Sequence, residues 1–334
     1  MDRQQKSLRL GAAVILCAVV LRLAAGGFFQ PVADFLTQPN VLSLLLFLET
    51  GRIVRFPQSS GETPVFALES PEPDFSAAIS PEKPVFSAGD AENVTLKTTT
   101  GLQPDLAALL TRPLDWELTG DAPTVLILHT HATESYTRVS GEDYRESAAF
   151  RTLDERYNMV SVGDRLQTLL EAGGIPVLHD RTLHDYPSYN GSYSHARKSM
   201  EEYLAQYPSI RLVLDIHRDA SGDNQNQLRT SATVNGVPAA QIMLVVGSSA
   251  SGLTHPDWEE NLALALKLHV ELERTAPGIC RYVNLRAQRF NQDESPGALL
   301  VEVGAAGNTH AEAITAVEVL AQSILSLAHG AEIE

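Results

Sequence analysis

Histidine and glutamate side chains follow the first strongly apolar segment of the folded part of the sequence, TVLILHTHATESY (124–136). The apolar run ends at His129, and His131 and Glu134 come after it with the spacing H-x-x-E. An imidazole or a carboxylate at the end of a buried strand costs several kcal/mol unless it is paired or bound to a metal. Imidazole nitrogen and carboxylate oxygen are ligands that zinc accepts, so the segment indicates a candidate metal site.

Two further apolar segments carry groups of the same kind near their ends. RLVLDIHRD (211–219) ends in aspartate, histidine and arginine, and GALLVEVG (297–304) contains Glu302. Taken singly, such a residue is more often a hydrogen-bonded core residue or an ion-pair partner. Three such ends within one domain favour a shared site.

These residue types predict a catalytic zinc centre. His131, Glu134 and His217 are the expected ligands, because a catalytic zinc ion takes three protein ligands and keeps one position for water. Glu302 is the expected general base, since zinc lowers the pKa of bound water to about 7 and a nearby carboxylate can take the proton. The chain has only two cysteines, which excludes a cysteine-rich zinc site.

Three neighbouring residues are expected to orient a ligand, to bind substrate or to serve as an alternative ligand. Asp215 lies two residues before His217 on the same strand face, where it would orient a ligand or form a structural ion pair. Arg218 would hold a developing oxyanion or a substrate carboxylate. His129 would bind substrate or replace His131 as a ligand.

Tyr189 lies in a tyrosine-rich segment, HDYPSYNGSYSHARKSM (184–200). An aromatic ring on a loop at this side of the sheet would stack on a sugar or a peptide. The other interpretation is an ordinary turn before a helix that starts at Ser192, where serine would cap the helix.

The elements that must position these residues alternate along the chain from residue 123. The patterns predict strands and helices as follows: strands at 124–129, 175–180, 211–219, 239–248 and 297–308, and helices at 159–173, 192–208, 256–275 and 310–328. Apolar strands interleaved with helices predict an α/β fold with a mostly parallel twisted sheet and helices on both faces. In such sheets ligands bind outside the carboxyl ends of the strands.

The N-terminal part has a different character. The apolar segment LGAAVILCAVVLRLAAGGFF (10–29) follows three cationic residues and is long enough to span a bilayer. Cationic residues stay on the cytoplasmic side, so a single-pass cell-membrane protein with an extracytoplasmic domain is expected. A cleaved signal peptide is the alternative, because the uninterrupted apolar core is short and LAAGG offers small residues for cleavage.

Three regions are therefore predicted. Residues 1–30 form a cytoplasmic stub and transmembrane anchor, and residues 31–122 form a linker rich in proline, serine and acids, with short local helices such as 104–111. Residues 123–330 form the catalytic domain. The net charge of −16 argues against a nucleic-acid partner, because phosphate binders normally present a basic face.

Several blocks of the sequence, in order, resemble the stage II sporulation protein P family. They lie within about 123–328: VLILHTHATESYT, RYNMVSVGDRL, HDYPSYNGSYSHARKSMEEYL, RLVLDIHRDA and RFNQDESPGALLVEVGAAGNT. The resemblance implies a zinc-dependent N-acetylmuramoyl-L-alanine amidase with an amidase/carboxypeptidase-like fold, and an endopeptidase activity on peptide cross-links. It further implies peptidoglycan as substrate and a role in engulfment during sporulation, alongside stage II sporulation proteins D and M.

The resemblance also leaves one ligand open. Many related amidases take their ligand glutamate from a helix further along the chain, which makes Glu155 an alternative to Glu134.

Two other functions are alternatives to the amidase. One is a non-catalytic, membrane-anchored peptidoglycan-binding or scaffold protein. The other is a metal-free hydrolase using Ser135 or Ser295, although neither serine lies in a G-x-S-x-G turn.

Overall fold

A seven-stranded sheet lies at the centre of the computed structural model, which describes residues 83–114, 117–223 and 226–329. In chain order the described strands are β1 (Leu96–Thr98), β2 (Val125–Leu128), β3 (Glu146–Ala148), β4 (Arg151–Thr152), β5 (Val177–His179), β6 (Leu212–Asp219), β7 (Ala232–Val234), β8 (Val237–Ala239), β9 (Ile242–Val246), β10 (Val283–Leu285) and β11 (Ala298–Ala305). The spatial order in the large sheet is β1-β10-β9-β11-β6-β2-β5, and β3–β4 and β7–β8 form separate pairs. Neighbours in the large sheet are parallel except β9 and β11, which are antiparallel.

Helices cover both faces of this sheet. The described α-helices are α1 (Leu106–Thr111), α2 (Met159–Ala172), α3 (Ser192–Gln206), α4 (Trp258–Thr275) and α5 (His310–Ala328). Side chains of α2, α4 and α5 form the main apolar core with one face of the sheet. On the other face, Ala196 and Met200 of α3 pack against Leu126 and Leu128 of β2, because alternate strand residues point to opposite faces. The predicted fold class is confirmed.

The elements predicted between 124 and 328 are all present, with ends that shift by a few residues. Strands β1 and β10 were not predicted, because three-residue strands carry no measurable periodicity. They pair with each other in parallel and extend the sheet beyond β9. This unpredicted edge matters for the site, since it lengthens the sheet face that α3 leaves uncovered.

The C-terminal part of the predicted linker contains the local helix predicted at 104–111, but this part is packed against the domain and is not extended. Within 88–111 the chain forms a short 3-10 helix (Ala88–Asn93), strand β1 and helix α1. Asp105 caps α1 by accepting a hydrogen bond from the backbone of Ala108 (3.0 Å). Leu109 and Leu110 of α1 are buried in the main core, and this apolar burial holds the segment against the sheet.

The predicted anchor at 1–30 and the linker up to residue 82 lie outside the described residues. Within the described part of the chain, α5 is the one helix long and apolar enough to cross a membrane. Most of its residues are buried in the protein core, as expected of a core helix.

A buried lysine joins α4 to α1. Lys267 is 2% exposed, and its Nζ donates a hydrogen bond to the carbonyl oxygen of Leu109 (2.9 Å). Burial, with a contribution from Arg112, lowers the pKa of Lys267 to about 8. An unfolded lysine has a pKa of about 10.4, so the folded state penalises the charged form. The penalty is complete below pH 8 and is relieved as the pH rises toward about 10.4.

Replacing Lys267 by methionine is therefore expected to stabilise the chain at pH 7. Methionine fills a similar volume without a charge, and the expected increase in unfolding free energy is about 1–2 kcal/mol. The increase should shrink between pH 8 and about pH 10.4, because the wild-type penalty disappears there. Thermal unfolding across this pH range tests it, with Lys198→Met on the exposed face of α3 as control. If Lys267→Met unfolds at a lower temperature than wild type at every pH, the hydrogen bond from Lys267 to Leu109 outweighs the cost of burying the charge.

Candidate active site

A cavity of about 430 Å³ opens on the sheet face that α3 leaves uncovered. Residues from β6, β9 and β11 and from the turn after β2 line it. The predicted metal ligands and the predicted base are all among its lining residues: His131, Glu134, His217 and Glu302. The cavity therefore collects side chains that are far apart in the sequence.

A tight turn after β2 brings His131 and Glu134 to the same place. The backbone N–H of Glu134 donates to the carbonyl oxygen of His131 (3.0 Å), and Glu134 then forms a β-bridge with Arg151 of β4. Both members of the H-x-x-E pair are buried. The chain reverses direction between His131 and Glu134. The H-x-x-E spacing therefore places both side chains in the cavity.

Glu134 is held by two arginines. Its Oε1 lies 3.1 Å from Arg151 Nη2 and 3.4 Å from Arg218 Nη1, and its Oε2 accepts from the backbone N–H of Arg218 (3.3 Å). Burial alone would raise the pKa of Glu134, but Arg218 and His217 together outweigh it and lower the pKa. The carboxylate is ionised and fixed in orientation.

His217 lies between two carboxylates. Its Nδ1 is 3.7 Å from Glu134 Oε2, and its Nε2 is 2.8 Å from Asp215 Oδ1, at an angle that does not meet hydrogen-bond geometry. Burial would lower the pKa of His217, but Asp215, Glu134 and Glu302 raise it to about 9. Asp215 also accepts hydrogen bonds from the backbone and hydroxyl of Thr130 (2.8 and 2.6 Å). Asp215 therefore ties the turn after β2 to the imidazole on β6.

Glu302 lies beside His217. The two residues are register partners on the adjacent parallel strands β11 and β6, so their side chains share one face of the sheet. Glu302 is enclosed, and its Oε2 has no hydrogen-bond partner among the described residues. Burial raises the pKa of Glu302 to about 8; His217 opposes this shift and Glu134 adds to it. Within the part of the chain that the structure describes, its carboxylate forms no ion pair.

His131 faces the cavity with one nitrogen uncommitted. Its Nδ1 is buried and has no hydrogen-bond partner within the described part of the chain, while its Nε2 lies 3.2 Å from the hydroxyl of Tyr189. The Tyr189 ring stacks on the imidazole, with centroids 4.6 Å apart, and the His217 ring meets it edge-on at 5.2 Å. Burial lowers the pKa of His131, which favours the neutral form that can donate a lone pair.

The donor set agrees with zinc in chemistry. The two imidazoles and the carboxylate of the predicted ligands share the cavity, and the buried Nδ1 of His131 lacks a partner among the described residues. Among the described residues, however, no three His, Cys, Asp or Glu side chains already converge to coordinating distance. Glu134 instead faces its arginines, and His217 faces Asp215. The residues fit a zinc ion by type and by sharing one cavity, and the side chains are not at coordinating distance in this structure.

Arg218 has a different position from the one expected of an oxyanion ligand. It is 4% exposed, and its Nε and Nη2 donate to the carbonyl oxygens of Ser135 (3.0 Å) and Phe150 (2.8 Å). Its Nη1 contacts Glu134, so each end of the guanidinium already has a partner. Arg218 therefore fixes the segment after β2 against the β3–β4 hairpin.

The structure does not bring His129 or Glu155 to the cavity. His129 is fully buried toward α2, where its Nδ1 contacts the carbonyl of Ile216 (3.0 Å) and its Nε2 contacts His179 Nε2 (2.8 Å). A Cβ on Gly163 of α2 would lie 2.6 Å from His129, so a glycine is required there. Burial lowers the pKa of His129 to about 3. Glu155 is exposed on another surface and pairs with Arg181.

Sequence reasoning missed the residues that hold the site in place from outside it. Arg151 bridges Glu134 and the buried Asp185, and its guanidinium lies 4.9 Å from the ring of Tyr189. Asp185 in turn accepts from the backbone and hydroxyl of Thr133. No local pattern marks Arg151, because the hairpin that carries it has no alternation of polar and apolar residues.

Comparisons with known proteins agree with this arrangement at the level of family. Residues 69–325 match the family described as Stage II sporulation protein P. The chain is 31% identical over 206 residues to stage II sporulation protein P of Bacillus subtilis, a match that covers 58% of this chain and 48% of that protein. The chain thus matches about half the length of this curated relative.

Solved structures with a similar backbone include two bacterial amidases. The CwlD amidase of Clostridioides difficile, solved with the GerS lipoprotein, has a TM-score of 0.38 at 15% identity and covers 60% of this chain and 94% of its own. The N-acetylmuramyl-L-alanine amidase Ami1 of Mycobacterium smegmatis has a TM-score of 0.37 at 12% identity, covering 62% and 96%.

Proposed function

The chain belongs to the stage II sporulation protein P family, and from this premise we propose that it is a cell-wall hydrolase acting in sporulation. The bond cleaved is the amide between N-acetylmuramic acid and L-alanine in peptidoglycan. The observation that carries the proposal is the buried group of His131, Glu134 and His217 with Glu302 in register beside it. An uncharged amide needs both an activated water and a polarised carbonyl, and this group has the residue types for both.

His131, Glu134 and His217 would hold a zinc ion, which when bound polarises the amide carbonyl and acidifies water. Asp215 keeps the imidazole of His217 in place, and Arg218 keeps the carboxylate of Glu134 in place. Glu302 accepts a proton from the attacking water at its carboxylate and returns it to the departing amine nitrogen. Oε2 of Glu302 is buried and has no partner among the described residues, so the carboxylate, which a bound cation would keep ionised, is available for this transfer.

The setting of the reaction is part of the same proposal. The chain is a single-pass membrane protein anchored by 1–30, with the catalytic domain outside the cytoplasm. It acts on peptidoglycan during engulfment together with stage II sporulation proteins D and M, and it also cleaves peptide cross-links. Family membership supports the sporulation role, and the strongly acidic charge is consistent with a partner other than nucleic acid.

The proposal is tested by incubating the full chain with purified peptidoglycan and measuring released stem peptides and bound zinc. We expect free N-terminal L-alanine to appear with time, about one zinc ion per chain, and loss of activity with a chelator that zinc restores. A chain that binds no zinc and releases no peptide, while still sedimenting with peptidoglycan, would instead support the non-catalytic binding protein.

A further inference from the structure

Arg286, a cation whose side chain has no partner among the described residues, lines the same cavity as Glu302. Arg286 follows β10, lines the cavity and is half-buried. Its backbone N–H continues the ladder to the carbonyl of Val246 (2.8 Å), but its guanidinium has no ion pair or hydrogen bond within the described residues. The other arginine at this side, Arg281, is neutralised by Asp219 (2.6 Å). Among the described residues that line this cavity, Arg286 therefore has a guanidinium that is free to bind a ligand.

The floor of the cavity between Glu302 and Arg286 is apolar. Met243, Val245 and Leu300 form a small apolar cluster on the sheet face opposite the main core, and Tyr282 and Phe290 pack against it. Leu300 and Glu302 point to the same face of β11, since they are two residues apart. The floor is a strip of apolar surface that begins at the predicted base.

The register of the strands places Arg286 on that same face. Leu300 pairs with Val245, and Val245 pairs with Asn284, so these side chains form one row across three strands. Arg286 is two residues beyond Asn284 and points the same way. From strand spacings, the Cα atoms of Glu302 and Arg286 are about 15 Å apart, the span of four to five residues of extended peptide.

A second cavity continues the strip to the sheet edge. It shares Tyr282, Asn284 and Arg286 with the first cavity and adds Lys97 of β1. Lys97 is the register partner of Asn284, and its Nζ lies 3.8 Å from the centre of the Tyr282 ring. The edge formed by the two unpredicted strands thus adds positive charge to a chain whose net charge is −16.

We propose that Arg286 binds a carboxylate of the peptide part of the substrate, carried several residues from the amide that is cleaved. This inference rests on the proposed function. An unpaired, half-buried guanidinium is suited to bidentate binding of a carboxylate. The apolar strip accommodates small side chains of an extended peptide, and local cations offset the repulsion that an acidic peptide meets from an acidic protein. A neutral glycan would make no use of these charges.

The test compares two soluble substrates of the full chain: a muramoyl tetrapeptide with free carboxylates, and the same compound with its carboxylates amidated. For Arg286→Gln we expect KM for the free acid to rise about tenfold, the order of one charge-assisted pair, with kcat within about twofold. The amidated compound should be processed equally by wild type and variant. Arg286→Lys should lie between them, and Arg156→Gln, an exposed arginine outside the cavity, should match wild type on both compounds.

Two results would overturn the inference while leaving the amidase intact. The first is that Arg286→Gln still distinguishes the two compounds as wild type does. The second is an equal loss on both compounds, which would indicate a structural role. If the wild-type chain cleaves neither compound, the proposed function fails, and equilibrium binding of the two compounds decides the subsite. No charge-dependent difference in binding between wild type and Arg286→Gln would then reject it.

Discussion

Glutamine in place of Glu302 is expected to lower kcat for muropeptide cleavage by about 10²- to 10⁴-fold, the range that a positioned general base contributes. Glutamine keeps the size and shape of the side chain but cannot accept a proton from water. The fold should tolerate the change, because Oε2 of Glu302 has no hydrogen-bond partner among the described residues. Zinc content should also be preserved, since Glu302 is not one of the proposed ligands.

Stability provides an independent readout for the same variant. The folded-state pKa of Glu302 is raised to about 8, so without metal the folded protein disfavours the ionised form as the pH rises from about 4.3 to 8. Glutamine removes this penalty, and the metal-free variant should melt no lower than wild type at pH 8. Glu318→Gln, a half-buried glutamate of α5 that pairs with Arg165 of α2 and does not line the cavity, is the matched control for activity. Activity within tenfold of wild type for Glu302→Gln would remove its role as base.

Alanine in place of His131 is expected to reduce bound zinc from about one ion per chain to less than a tenth, and kcat/KM by more than about 10³-fold. Of the three proposed ligands it gives the clearest test. Its side chain makes no ion pair, and its Nδ1 has no partner in the part of the chain that the structure describes. Loss of the ring removes a ligand, while the charged network of Glu134 with Arg151 and Arg218 stays complete.

The other ligand variants are less easily interpreted. Glu134→Gln would leave the buried guanidinium of Arg218 without its carboxylate, at a cost of about 3–5 kcal/mol, so lost zinc could follow from lost structure. His195→Ala, an exposed histidine on α3, is the control for His131→Ala and should keep full zinc. Glu155→Gln tests whether Glu155 is the zinc ligand in place of Glu134. This variant should keep its zinc, because Glu155 would bind the ion only if the chain rearranged to bring it into the cavity. A His131→Ala chain that retains zinc and activity would rule out the site as proposed.

Much of the fold was readable from local patterns. The strands β2, β6 and β11 and the helices α2 to α5 are long or strongly apolar, and their periodicity depends only on residues close in sequence. The same locality explains what was missed. Strands β1 and β10 exist because they pair with each other and with β9, and three residues carry no pattern of their own.

The sequence by itself determined the chemistry available: which strands end in imidazole and carboxylate groups, and which family the chain resembles. The tertiary structure alone decided how those groups are used. His129 and His131 are two residues apart, yet the turn after β2 sends one to the core and the other to the cavity. Arg218 donates to a backbone carbonyl of a distant hairpin, that of Phe150, and Arg286 lines the cavity because it follows the unpredicted strand β10. Such placements depend on strand register and on chain reversal, and these are set by contacts between residues far apart in the sequence.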